Sequence, residues 1–223
     1  MFEAIPLEVF QARTGIVSKD FLFTPEVAEI VSLRSISSVS QVHIMPIPYL
    51  KKLLLNISTV GDANCRVYRG CKMKRVKIDP LQVRIGQTFV ERQKCLKILE
   101  EFPGTFSGFD VPSGFTNHPS LIVIGKTGTD SVAIAHYLPP IIEIRKGGRN
   151  PKILDGIHRS FLTQAVGTTI ETVMFYDVAV PFPCETRDWE DISLVDAKPP
   201  KEKRFFDLKP EYFRDLKQVG VDG

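Results

Sequence analysis

The spacing of apolar and polar positions divides the chain into a mixture of helical and strand-like stretches. Phe21-Leu22-Phe23 leads into Thr24-Pro25-Glu26, a capping hydroxyl followed by a first-turn proline and an acid. Val27, Ile30, Val31 and Leu33 then lie on one stripe, which predicts a helix that weakens at Ser35, Ser37, Ser38 and Ser40. Pro46 and Pro48 interrupt the chain before a second helical stretch over 49–57. Alternation over 75–78, the turn Asp79-Pro80 and the short run 83–85 predict two strands. The clearest helical pattern covers 89–102. Phe89, Leu96, Ile98 and Leu99 are its apolar positions, Glu91, Arg92, Lys94 and Lys97 its wet face, and Pro103-Gly104 its end.

Residues 103–120 are rich in Gly, Pro, Ser and Asn, which predicts a mobile loop long enough to act as a lid. Strands over 121–124 and 132–136 flank Gly125-Lys126-Thr127-Gly128. A further strand over 141–145 turns at Gly147-Gly148 into a returning strand over 152–154. Phe161, Leu162, Ala165 and Val166 share one face of a helix over 159–166, Gly167 stands at its left-handed cap, and 172–178 reads as a buried strand. Beyond Val180, the prolines at 181, 183, 199, 200 and 210 break regular structure, so the tail is expected to wrap the domain. The organisation predicted is α/β (α+β): an extension over 1–73 without an assigned role, a domain over 74–180, and a tail over 181–223.

Composition narrows the classes of function. The 223 residues are 43% hydrophobic, enough for a sizeable core, and the net charge of +3 selects no partner by itself. Four cysteines, Cys65, Cys71, Cys95 and Cys184, form no CxxC pair and have no histidines at zinc-ligand spacing. The apolar runs are strand-sized, far short of the ~20 residues that span a bilayer. No leader-like segment opens the sequence, so a cytoplasmic protein with reduced thiols and no membrane partner is expected.

Charge is concentrated in one place. Arg66, Arg69, Lys72, Lys74, Arg75 and Lys77 follow one another with no acid between them. Such a run guards an exposed sheet edge or faces nucleic acid, and the first reading is the commoner one. Gly125-Lys126-Thr127 has the form of the end of a phosphate-binding loop. Ser120 stands where the required glycine belongs, so a hairpin is expected instead. Trp189 is expected to anchor the tail.

The stretch with chemical content is Asp155-Gly156-Ile157-His158-Arg159, where a strand ends in a glycine and a helix opens. Unpaired amides and the helix dipole at such a point favour an anion. Gly156 allows close approach of backbone, His158 and Arg159 add donors, and Ser160 follows in the first turn. Asp155 is placed to hold a metal or a ribose, or to cap the helix.

Pro140-Ile141-Ile142-Glu143-Ile144-Arg145, the Gly147-Gly148 turn and Lys152-Ile153-Leu154-Asp155-Gly156-Ile157-His158-Arg159 together resemble the signature of the ParB/sulfiredoxin superfamily. Val76–Ile78, Arg84 and the 89–99 helix are similar to that family's opening strand, arginine and first helix. The resemblance covers residues 74–180. It implies a mixed sheet with packed helices, and phosphate binding by Gly156, Ile157, His158, Arg159 and Ser160. It also implies catalytic roles for Asp155, His158 and Arg159, with Arg84, Gln87 and Glu91 as a second wall. The sulfiredoxin cysteine is missing, since Ile157 or its neighbours occupy its place. The helix-turn-helix of partition proteins is not matched by the 181–223 tail. Gln87 stands where free-serine kinases of the superfamily carry a glutamate base, with Glu91 a turn later.

The expectation from the resemblance is an Mg²⁺-dependent hydrolase or phosphotransferase acting on a nucleotide (ATP, ADP or CTP), with Mg²⁺ held through Asp155. Two alternatives stand beside it. One is a DNA-associated module of a DNA-modification or mobile-element system that uses the Arg66–Lys77 run. The other is a catalytically degenerate interaction protein, working as a homodimer or within a larger complex.

Overall fold

The computed structural model describes residues 3–17, 26–106, 108–112 and 114–221. Its fold is mixed α/β, with four α-helices and three sheets among the described residues. In chain order the elements are β1 (Ile5–Pro6), α1 (Leu7–Thr14), β2 (Glu29–Ile30), β3 (Ile36–Ile44), α2 (Ile47–Leu55), β4 (Lys72–Ile78), β5 (Phe89–Glu91) and α3 (Arg92–Phe106). They continue with β6 (Leu121–Thr127), β7 (Val132–Tyr137), β8 (Ile141–Arg145), β9 (Lys152–Asp155), α4 (Ile157–Ala165), β10 (Ile170–Val178) and β11 (Ser193–Val195).

One sheet has the order β1-β2-β7-β6-β3 and a second the order β4-β10-β8-β9; β11 and β5 form a short parallel pair. Both larger sheets are mixed. β2 runs parallel to β7, and β8 parallel to β10, while their other neighbours are antiparallel. β1, β2 and β3 therefore build one sheet with β6 and β7, so the strands described before residue 73 share a sheet with those of the central segment.

Period-2 patterning sends alternate side chains of each strand into different cores. On β10, Val173 and Phe175 join the largest apolar cluster, whereas Met174 joins a second cluster with Ile157 and Trp189. The largest cluster draws on both sheets: Ile122, Ile124 and Ile134 meet Ile141, Val173 and Phe175, with Leu50, Leu53 and Leu54 of α2. A third cluster places Phe106 of α3 against Leu121, Val123 and Ala135.

Several local expectations are corrected. The helix expected after Glu26 is absent: Glu29–Ile30 is a strand and Leu33–Ser35 a single 3₁₀ turn. Val27, Ile30 and Val31 are all buried, and parallel pairing with β7 decides their conformation over local helical spacing. The proposed cap at residue 24 lies outside the described residues. Phe89–Glu91 is a strand because the tail supplies β11 as its partner from about a hundred residues away, a contact that spacing alone does not signal. The helix that follows continues past Pro103-Gly104 to Phe106, whose burial in the third cluster holds the last turn.

Several described residues between 108 and 120 are held against the body of the protein. Val111 and Phe115 pack on the third cluster, His118 and Ser120 are buried, and the Thr116 carbonyl accepts from Glu171 N–H at 2.8 Å. The tail wraps the surface as expected, and it also enters the core. Trp189 is buried and donates from Nε1 to the Pro80 carbonyl at 2.8 Å. Leu216, Val219 and Val221 join the largest cluster.

Candidate functional site

β9 ends at Asp155 and Gly156 turns the chain into α4 with φ +86°, a conformation that favours glycine. A Cβ there would lie 2.7 Å from Pro140 Cβ and 2.9 Å from its Cα, so residue 156 has no room for a side chain. The first intrahelical bond runs from Ser160 N–H to the Gly156 carbonyl at 3.0 Å. The amides of residues 157–159 precede it, at the positive end of the helix.

His158 and Arg159, adjacent in sequence, have different surroundings. His158 Nε2 accepts the Glu91 backbone N–H at 3.1 Å, which fixes the ring proton on Nδ1. Burial, and then the charge of Lys94, lower its pKa to about 4, so the ring is neutral near pH 7. Nδ1–H has no hydrogen-bond partner among the described residues. The Glu91 carboxylate lies beside the same ring. Its Oε1 is 3.4 Å from Lys94 Nζ, too long to align as a strong bond, and is buried without a hydrogen-bond partner. The exposed Lys198 also acts on His158. The Lys198 pKa is itself lowered, by burial and then by Lys94 and Arg204.

Arg159 points inward. Its NH1 donates to His118 Nε2 at 2.7 Å and to the Leu138 carbonyl at 2.6 Å, and its guanidinium lies 5.1 Å from the Tyr137 ring centroid. A guanidinium only donates, so His118 carries its proton on Nδ1, which donates to the Pro119 carbonyl at 2.9 Å. Burial and the neighbouring Arg159 charge lower the His118 pKa to about 3. Asp155 Oδ2 is 3.9 Å from Arg159 NH2. Ile157 and Ser160 are buried.

The structure thus brings Asp155, His158, Arg159 and Glu91 to the start of α4. Arg84 and Gln87 direct their side-chain bonds to other residues. Arg84 NH1 pairs with Asp188 at 3.1 Å and NH2 donates to the Thr186 carbonyl; Gln87 Nε2 donates to the Phe89 carbonyl at 2.7 Å. Gln87 also lines a cavity of ≈ 20 Å³ with Gly86, Ile157, Phe182, Cys184 and Phe205. That volume is on the scale of one water molecule, far below a nucleotide.

Four of the six cations of the basic run lie on an edge strand. β4 is the outermost strand of its sheet, and Lys72, Lys74, Arg75 and Lys77 are exposed on it. Arg75 pairs with Glu171, Lys74 lies over the Tyr176 ring, and Arg66 NH1 donates to the Asn56 carbonyl. Gly125-Lys126-Thr127 lies on a strand leading into a hairpin, with Gly125 needed because the Ser38 carbonyl passes 2.2 Å from where its Cβ would be.

Burial raises the thiol pKa values of Cys71, Cys95 and Cys184, the last to about 12, which leaves these three protonated and poor nucleophiles. Among the described residues no three His, Cys, Asp or Glu side chains come together to hold a metal, and Asp155 Oδ2 lies 3.9 Å from Arg159 NH2.

A buried polar node was missed from the sequence. Arg214 Nε and NH2 donate to Glu143 Oε1 and Oε2 at 3.0 and 2.7 Å, and Tyr68 OH donates to Oε1 at 2.6 Å. Burial and the Glu143 charge raise the Tyr68 pKa well above its ordinary value, so the phenol stays protonated. The available signal was the β8 alternation, which puts Glu143 on the same face as the core residue Ile141. A second node joins His136 Nε2 to Tyr49 OH at 2.8 Å and His136 Nδ1 to the Gly220 carbonyl at 3.3 Å.

Comparison with protein-family models, with curated proteins and with solved structures finds no match.

Proposed function

We propose that this chain binds the phosphate group of a nucleotide at the start of α4, and that phosphoryl transfer or hydrolysis is the chemistry it serves. The observation that carries the reading is a convergence. Beside the amides that open α4 stand a neutral His158 and Glu91, whose backbone N–H the ring accepts, and the charges of Lys94 and Lys198 act on the same ring. The amides and Nδ1–H supply donors for phosphate oxygens, and the two lysines supply the charge. The Glu91 carboxylate supplies an acceptor for the hydroxyl of a phosphoryl acceptor or for an attacking water. The resemblance of the 140–159 segment to ParB/sulfiredoxin proteins supports the same assignment.

This reading moves the cationic role from Arg159 to the lysines. Arg159 fixes the start of α4 against His118 and Leu138, and so acts as a positioning residue. No step is assigned to Mg²⁺.

Thermal shift with ATP, ADP, CTP, GTP and pyrophosphate tests the proposal on wild type, Lys198→Ala and His158→Gln. A ligand at about a hundred times its Kd contributes ~2.7 kcal/mol, which for a chain of this size raises Tm by roughly 5–10 °C. The expected result is a shift for wild type that falls in both variants, while the ligand-free Tm of Lys198→Ala stays unchanged. No shift with any of these ligands, or a shift that both variants retain in full, would overturn it.

A further inference from the structure

Each of the two larger sheets has two outer strands, and three of these four edges are closed by some device. β1 has only two residues. β4 carries Lys72, Lys74, Arg75 and Lys77. The outer side of β9 is taken by the segment at Arg84, whose N–H donates to the Pro151 carbonyl at 2.8 Å and whose carbonyl accepts from Ile153 N–H at 2.9 Å.

β3 is different. It is nine residues long, ends its sheet, and has β6 as its one strand partner among the described residues. Its sequence, Ile-Ser-Ser-Val-Ser-Gln-Val-His-Ile, contains no Lys, Arg, Asp, Glu or Pro. An edge of this length offers unpaired N–H and C=O groups to any strand that can approach. Register shifts between Ile36 and Ser38 and between Val39 and Gln41 twist its first half away from a straight partner. The remainder, Gln41 to Ile44, pairs with Ile124 to Leu121 without interruption and keeps a regular outer edge.

We propose that this edge pairs antiparallel with β3 of a second copy of the chain, joining two five-stranded sheets into one. Charge selects the occupant: β3 is the long edge on which two identical strands can meet without setting like charges opposite each other. Geometry selects the register. With Val42 opposite Val42 of the second copy, Ser40 faces Ile44 and Gln41 faces His43. Val42 belongs to the apolar side that packs on Phe106, Leu121 and Val123, so its pairing continues that core across the interface. Gln41 and His43 already bond to each other at 3.0 Å within one strand, and this register sets the same complementary pair across two. One such edge per chain gives an isologous contact that closes at a dimer and does not propagate into a fibre.

The test uses the full chain in sedimentation velocity over a concentration series. Two double variants accompany it, Gln41→Lys with His43→Lys and Gln41→Glu with His43→Glu. Wild type is expected to pass from monomer to dimer as concentration rises, and each double variant to remain monomeric with an unchanged circular dichroism spectrum. Mixing the two variants is expected to restore the dimer, since each lysine then faces a glutamate. A wild type that stays monomeric throughout overturns the proposal. So does a dimer that both double variants retain.

Discussion

Two arginines lie buried beside carboxylates in this molecule, and their partners differ. Arg214 meets Glu143 through two nitrogens, at 3.0 and 2.7 Å, with Tyr68 on the same carboxylate. Arg159 instead donates to a neutral imidazole and a carbonyl, and Asp155 remains 3.9 Å away. The first arrangement binds residues 68, 143 and 214 into one charge-neutral joint between the N-terminal segment, the second sheet and the tail. The second holds the start of α4 against residues 118 and 138. Both guanidinium groups are turned into the protein, so the phosphate site proposed at α4 relies on amides, His158 and lysines instead.

The comparison breaks most visibly at the first joint. Removing one partner leaves a buried charge uncompensated, so Glu143→Ala or Arg214→Ala should lower stability by about 3–5 kcal/mol in urea denaturation. Replacing all three groups together, with Tyr68→Phe, Glu143→Leu and Arg214→Met, should recover most of that loss, because no charge is then stranded. A triple variant no more stable than the single ones would show that the joint is held by shape and not by charge balance.

Arg159→Ala should cost less, about 2–4 kcal/mol, since it leaves two neutral acceptors, His118 Nε2 and the Leu138 carbonyl, without a donor. Its ligand affinity, measured below the variant's Tm, should stay within a few-fold of wild type. A complete loss of binding in folded Arg159→Ala would return the cationic role to this residue.

A third test is carried by pH. His118, His136 and His158 have folded pKa values lowered to about 3, 4 and 4, below the ordinary 6.5 of an unfolded chain. Between those limits the unfolded chain binds more protons, so stability falls as pH falls. The contribution is complete above about pH 6.5 and declines toward pH 4. The urea midpoint should therefore drop between pH 7 and pH 5, and a constant midpoint would contradict the neutral, buried imidazoles.

The elements legible in the sequence are those whose signals are local. Gly147-Gly148 marks the β8–β9 hairpin, Gly156 and Gly167 bracket α4, and Pro46 precedes α2. What was not legible depends on partners distant in sequence. Val27 to Val31 has helical spacing, and Glu29–Ile30 within it is a strand because β7 lies beside it. Phe89 to Glu91 is a strand because the tail returns to pair with it. At the site, the Asp155–Arg159 turn could be found from glycine and charge alone. The inward turn of Arg159 could not, because it depends on His118 and Leu138, two positions that no spacing links to it. Glu143 shows the same limit. Its alternation placed it on a buried face, but its partners Tyr68 and Arg214 lie 75 and 71 residues away.

The central claim, a phosphate site at the start of α4, is tested most directly by following backbone amide resonances during titration with pyrophosphate. The account predicts saturable shifts centred on residues 157–159 and Glu91, weakened in Lys198→Ala. Shifts confined to the Lys72–Lys77 strand, or none at any concentration, would contradict it.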